Sequence, residues 1–267
     1  MKLSIVLSTQ PASFSALAYQ GHWEENIGKI KTLGYDGVEL AVRDPGSLDL
    51  PLLKSVLARH GLIVPAIGTG QAFGEDGLSF THADAAIRRQ AIERVQSHIR
   101  LARELGALVI IGLVRGRRSR GITAEQAEQW VIEALRECAA ADCAVKLAVE
   151  PINRYETDLV NTVSAGMALM KKVEMENVGL LLDTFHMNIE EPGIQAGFVT
   201  GRDRLFHVHI ADSNRWHPGA GHVDFRAIVS VLNQIGYRGF LSAEILPLPD
   251  PDSAAENTIR YMRALAA

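Results

Sequence analysis

The hydrophobic positions alternate between two rhythms. Short apolar runs rich in Val, Ile and Leu occupy 2–8, 37–42, 63–69, 108–114, 146–152, 178–183, 205–211 and 240–245. Their length and composition are those of buried strands. Between them lie stretches in which apolar residues recur every three or four positions. The clearest is 83–105, where Ile87, Ala91, Val95, Ile99 and Ala102 repeat among Arg, Gln and Glu, the stripe of a helix packed on one face. Further helices are expected over about 23–33, 49–60, 124–141, 162–174, 224–235 and 253–265. The weakest helical stretch is 191–202, which carries Pro192, Gly193, Gly197 and Gly201.

Strands that alternate with helices argue for a parallel sheet. Eight such units in 267 residues favour closure into an α/β (β/α)8 TIM barrel. One catalytic domain is expected over 1–267. No Gly-x-Gly-x-x-Gly follows an early strand, which argues against a dinucleotide-binding sheet.

Four chemically active side chains close four successive strand runs: Glu150, Asp183, His209 and Glu244. The intervals of 33, 26 and 35 residues each suit one strand–helix unit. In a barrel, residues at strand C-termini converge on one mouth, where such folds place their chemistry. An acid at one strand end commonly bonds its own loop; four equivalent positions point to a joint site. Three carboxylates and one imidazole suit a single divalent ion: Mn²⁺, Mg²⁺ or Co²⁺. His207, two residues before His209, points to the same side of its strand and competes for that role. His209 lies nearer the strand end and is preferred, with His207 behind it or in the core. Such an ion could polarise a substrate carbonyl and acidify the neighbouring C–H. Carboxylates could then move the proton, with the ion steadying the enediolate between steps.

Composition narrows the class. Hydrophobic residues make up 47% and charged residues 22%, enough apolar material for a large core. A net charge of −4 gives no electrostatic reason to expect nucleic acid as a partner. No run nears the roughly 18 apolar residues of a membrane span. The segment Met1–Ser8 is expected to be a first strand rather than a leader, because polar Thr9 and Gln10 follow at once. Cys138 and Cys143 do not form a Cys-x-x-Cys pair and are expected to be reduced thiols of a cytoplasmic protein.

Two long loops, 68–77 and 211–222, fall on the same predicted mouth, and long loops in compact domains are often functional. Gln71 is a candidate for bonding a substrate hydroxyl. Phe14, Phe73 and Trp216 are candidate pocket walls, although aromatic residues in loops also serve local packing.

The segments Ala148-Val-Glu-Pro-Ile-Asn-Arg-Tyr-Glu-Thr157, Leu182-Asp-Thr-Phe-His-Met-Asn188, His207-Val-His-Ile-Ala-Asp-Ser-Asn-Arg215 and Ser242-Ala-Glu244 resemble the xylose isomerase-like barrel superfamily. Within it they resemble ketose 3-epimerases of the tagatose/psicose type. The resemblance implies an ion held by Glu150, Asp183, His209 and Glu244, with Glu150 and Glu244 transferring protons on opposite faces of the substrate. It also implies that Glu156, His186 and Arg215 hold substrate oxygens. By themselves these three could equally be a surface acid, a packed histidine and a solvated charge. Barrels of this resemblance often assemble as dimers or tetramers, so a homo-oligomer is expected.

A closer resemblance is to 5-keto-L-gluconate epimerases of inositol catabolism, which interconvert that acid and D-tagaturonate. It rests on Ala66-Ile-Gly-Thr-Gly-Gln-Ala72, Ile110-Ile-Gly-Leu-Val-Arg-Gly-Arg-Arg118 and Glu244-Ile-Leu-Pro-Leu-Pro249. Arg115, Arg117, Arg118 and Arg120 follow the fourth barrel strand. Arginine forks suit carboxylates, and Arg115, nearest the strand end, is expected to bind one; a solvated charge run is the plain alternative. The expected function is therefore metal-dependent epimerisation of a keto-hexuronate. A neutral ketose 3-epimerase or a hydroxypyruvate-type isomerase is the alternative. An abasic-site endonuclease would need more ligands and a basic face, and a sugar-acid-binding protein without catalysis would bind without proton exchange.

Overall fold

The computed structural model describes residues 1–266. Its strands are β1 (Lys2–Ser8), β2 (Tyr19–Gln20), β3 (Gly37–Ala41), β4 (Ala66–Gly68), β5 (Leu108–Ile111), β6 (Leu147–Val149), β7 (Val178–Asp183), β8 (Leu205–Ile210) and β9 (Phe240–Ala243). They form one sheet in the order β2-β1-β3-β4-β5-β6-β7-β8-β9, and β1 also pairs with β9. Every pairing is parallel. Eight strands thus close a (β/α)8 TIM barrel, with β2 a two-residue spur on β1.

Alternation along the strands divides the core in two. Ala66, Ile110, Ala148 and Leu181 form a small buried cluster of their own. Their neighbours Ile67, Val109, Ile111, Leu147, Val149, Leu180 and Leu182 belong to the large cluster shared with the helices. Period-two geometry explains this: one set fills the barrel and the other faces the helical coat. The helices begin where the sequence supplies an acceptor for their free N–H groups. Asp84, Thr123, Thr162 and Asp224 each accept a backbone N–H at the start of Ala85–Leu105, Ala124–Ala141, Val163–Val173 and Phe225–Gln234.

The element pattern matches the periodicity, with shorter strands. The run 63–69 narrows to Ala66–Gly68, and Ile63 forms only an isolated bridge to Gly37. The run 108–114 turns after Ile111 into a 3₁₀ turn at Leu113–Arg115. Two short helices follow β7, Thr184–Glu190 and Ile194–Gly201, the second within the weak stretch 191–202. The first was hidden because it is capped by Asp183, which also ends a strand. No helix among the described residues is long and apolar enough to cross a membrane. Cys138 is buried, Cys143 is exposed, and both are free thiols.

Candidate active site

The mouth is assembled by strand register. Asp183 ends β7 and lies directly beside His209 of β8, which in turn lies beside Ser242 of β9. Glu150 and Glu244 are the residues immediately after β6 and β9. One ligand atom from each of Glu150, Asp183, His209 and Glu244 lies within 4.8 Å of all the others. His209 Nδ1 is 3.7 Å from Glu150 Oε1 and 3.9 Å from Glu244 Oε1. Glu150, Asp183 and His209 are all buried. Gly112 helps admit this geometry, since a Cβ there would lie 3.2 Å from Glu150 Oε2.

The electrostatics of this group call for a cation. Glu150 Oε1, Asp183 Oδ2 and His209 Nδ1 are buried and without a hydrogen-bond partner, which is costly unless something else satisfies them. Burial, joined by Glu244, pushes the Glu150 carboxyl well above its ordinary range. Burial likewise raises Asp183 and Glu244. Crowded carboxylates of this kind are stabilised by a shared ion, and three oxygen donors with one nitrogen donor suit a hard or borderline divalent cation. The residues present therefore fit a metal ion at this point.

Glu39, which sequence reasoning missed, stands behind the group. It projects from β3 and is 1% exposed. His207 Nε2 donates to its Oε2 at 2.7 Å, and His209 Nε2 donates to its Oε1 at 2.8 Å. Burial alone would raise Glu39 and depress His209. Their mutual attraction, with His207 adding to the first and Glu244 and Glu150 to the second, outweighs it. Glu39 is held well below the carboxylate range and His209 well above its ordinary value. The available signal was a lone acid in an otherwise apolar strand, Gly37-Val-Glu-Leu-Ala41.

Asn153, also missed, organises the next layer. Its amide nitrogen donates to Glu156 Oε1 at 2.9 Å and to His186 Nδ1 at 2.8 Å. A carboxylate can only accept, so the amide orientation is settled. His186 Nδ1 is then the acceptor, and Nε2 carries the hydrogen of the neutral ring. That Nε2 lies 3.7 Å from Glu150 Oε1 and 3.8 Å from Asp183 Oδ2. Burial, with Arg215 and His209 nearby, holds His186 well below its ordinary value, so it is a neutral donor facing the site.

Arg215 spans the mouth. Nη1 donates to Glu156 Oε1 at 2.9 Å and Nη2 to Glu244 Oε2 at 3.1 Å. The guanidinium lies 4.9 Å from the Phe14 ring centre and 4.7 Å from that of Phe185. Its backbone has φ 63°, a left-handed conformation that costs a non-glycine residue energy and clusters at functional sites.

Above the group is a cavity of about 230 Å³, small by the standard of ligand pockets. Phe14, Leu17, Phe73, Leu113 and Ile152 are among its apolar walls. Gln71 lines it too. The Ser8 hydroxyl donates to the Gln10 carbonyl and so accepts from Gln71 Nε2 at 2.6 Å. Gln71 Oε1 is then left buried without a partner. Glu75 Oε1 accepts from the backbone N–H and the hydroxyl of Ser13, at 2.7 and 2.6 Å, clasping two loops at the rim.

Two candidates lie away from the cavity. Arg115 is fully buried but is not part of the cavity lining. Nε and Nη2 donate to the Leu159 carbonyl at 3.2 and 3.0 Å, and Nη1 to that of Gly112 at 3.0 Å. The 3₁₀ turn after β5 swings the side chain into the loop wall, where carbonyls take its donors instead of a substrate carboxylate. Arg117, Arg118 and Arg120 are exposed, and Arg118 pairs with Asp158. Trp216 does not line the cavity either.

Comparison with known proteins places this architecture. Residues 27–265 match the xylose isomerase-like TIM barrel family. The chain is 32% identical over 263 residues to the L-ribulose 3-epimerase of Methylomonas sp. (strain DH-1), covering 94% of this chain and 89% of that protein. It is 27% identical over 264 residues to the 3-dehydro-D-guloside 4-epimerase of Escherichia coli (strain K12), covering 91% and 97%. The crystal structure of D-allulose 3-epimerase from Methylomonas sp. in complex with D-allulose superposes with a TM-score of 0.81 at 26% identity, over 98% of this chain and 97% of that one. With the barrel, the cluster of acids at its mouth and these relatives together, the chain belongs to the xylose isomerase-like TIM barrel family and is an enzyme of its carbohydrate epimerase class.

Proposed function

We propose that the protein is a metal-dependent ketose 3-epimerase acting on a small neutral ketose. The observation that carries this is the convergence of Glu150, Asp183, His209 and Glu244, with unpartnered buried atoms on three of them, beneath a cavity that Gln71 and His186 also line. A divalent ion held there, Mn²⁺, Mg²⁺ or Co²⁺, would supply Lewis acidity that lowers the pKa of the C–H beside the ketone.

The chain's own groups do the rest. Glu150 and Glu244 follow β6 and β9, three strands apart around the rim, so they approach a seated substrate from different sides. One removes the proton from the carbon beside the ketone and the other returns a proton to the opposite face. His186 Nε2–H donates to a substrate oxygen, and Glu156 and Arg215 hold its neighbours. Gln71 Oε1 accepts from a distal hydroxyl. Phe14, Phe73 and Leu113 shield the carbanionic carbon from water.

A neutral substrate is favoured over the keto-hexuronate because no free cation supports a carboxylate. Arg215 is the only arginine or lysine lining the cavity among the described residues, and it is engaged by Glu156 and Glu244. The relatives named for L-ribulose and D-allulose support the same choice. We further propose one catalytic domain, cytoplasmic residence and a dimeric or tetrameric assembly, which light scattering checks.

The test is ¹H and ¹³C NMR of L-ribulose, D-allulose, D-tagatose, D-tagaturonate and hydroxypyruvate in D₂O with the Mg²⁺-loaded protein. Deuterium entering C3 of a neutral ketose, with its 3-epimer appearing, is expected. Turnover confined to tagaturonate would restore the keto-hexuronate, and turnover of hydroxypyruvate alone would replace the epimerase with an isomerase. Binding of any of these without exchange would make the protein a receptor.

A further inference from the structure

Two residues behind the ion site, Glu39 and His207, have no assigned part in the reaction, and Glu39 bonds the far edge of His209. They lie on strands that are not neighbours. Two strands, β9 and β1, separate β8 from β3 in the sheet order, so Glu39 reaches across the barrel interior to reach the two rings. His207 and His209 are two apart on one strand and point to the same side, with ring centres 5.5 Å apart and nearly perpendicular. A single carboxylate spans both: Oε2 takes His207 Nε2–H at 2.7 Å and Oε1 takes His209 Nε2–H at 2.8 Å.

We propose that Glu39 is a positioning residue that presets His209 for the ion by fixing both its tautomer and its ring plane. This inference rests on the metal-site reading above. A carboxylate only accepts, so the hydrogen of a neutral His209 must sit on Nε2. Nδ1 is then a bare lone pair, and it is this atom that lies unpartnered and buried against Glu150 and Glu244. Partners of this kind, beyond the ligands themselves, orient a ligating histidine and raise its basicity. His207 has the complementary task. By occupying Oε2 it stops the carboxylate from rotating about its own axis, so Oε1 stays aimed at His209. Both oxygens of Glu39 face the two rings, and Glu39 is not one of the four residues whose ligand atoms converge at the mouth.

The test is calorimetric titration of metal-free protein with Mn²⁺, wild type against Glu39→Ala and Glu39→Gln, with circular dichroism confirming the barrel. Glu39→Ala is expected to bind Mn²⁺ roughly 10–100-fold more weakly. Glu39→Gln is expected to fall between, because its amide keeps one acceptor for one ring, and it carries the test if the alanine variant does not fold. In the Mg²⁺-loaded wild type, ¹⁵N-histidine NMR should show His209 protonated on Nε2 and not on Nδ1; Glu39→Ala should lose that single pattern. Wild-type Mn²⁺ affinity in the folded variants, or a His209 hydrogen on Nδ1, would overturn the proposal alone. A second equivalent of Mn²⁺ that disappears in Glu39→Ala would also overturn it, making the trio a metal site in its own right. A wild-type protein that takes up no ion would overturn both this inference and the metal reading beneath it.

Discussion

Arg215 donates to Glu244 Oε2 at 3.1 Å, while Oε1 of the same carboxylate lies 3.9 Å from His209 Nδ1. One oxygen of Glu244 is thus held by the arginine and the other faces the candidate ion. The arginine gives Glu244 a fixed direction, and its stacking on Phe14 and Phe185 fixes the arginine in turn.

Replacing Arg215 by Lys should therefore cost more than a charge-conserving change usually does, because an ammonium cannot bridge Glu156 and Glu244 as a fork does. Loss of one charge-assisted bond, about 1.5–3 kcal/mol, predicts roughly a 10–150-fold fall in kcat/KM. Steady-state kinetics on the best ketose checks it; a change under threefold would remove Arg215 from the machinery.

Glu150→Gln and Glu244→Gln should each lower turnover by about 10²–10⁴-fold or more, the range lost with a proton-transferring group. Near-native formation of the 3-epimer in either variant, with the ion retained, would dismiss the two-carboxylate scheme.

Arg115→Ala should act on stability and not on substrate choice. It removes both guanidinium donors from the Leu159 carbonyl and one of two donors from the Gly112 carbonyl, which keeps the Arg115 backbone N–H, in a buried wall, at a cost of about 3 kcal/mol. For a chain of this size that lowers Tm by roughly 6–12 °C. The ratio of KM values for D-tagaturonate and D-tagatose should stay constant. A selective rise for the uronate would bring the arginine back into recognition.

The ion should stabilise the fold more at alkaline than at acidic pH. Glu150, Asp183 and Glu244 are raised in the folded protein. Without an ion, their contribution is fully present below the ordinary carboxylate range and is lost as pH rises through their folded values. His209, also raised, follows the same sign. An ion binds the deprotonated forms and repairs this loss. The Tm increment produced by Mn²⁺ should therefore be greater at pH 8 than at pH 5.5. Equal increments, measured by scanning calorimetry, would show that these groups are not its ligands.

The barrel was legible because strand and helix periods differ, and because eight repeats of both leave few other ways to bury the apolar faces. The four candidate ligands were legible for a related reason: a parallel barrel carries every strand C-terminus to one mouth, so position in a repeat stands in for position in space. Glu150, Asp183, His209 and Glu244 could thus be grouped without knowing any contact. Arg115 shows where that logic stops. It too follows a strand end, yet the turn after Ile111 sends it into the loop wall; position in the repeat says nothing about a side chain's direction once the strand has ended. Glu39 lies 170 residues from His209, and their pairing crosses the barrel interior, a contact no local period encodes. The amino-acid order alone determined which residues reach the mouth, because that follows from hydrogen-bonded repeats. Only the tertiary structure decided which face the cavity, which hold one another and which are spent on carbonyls, because those outcomes depend on packing across the closed barrel.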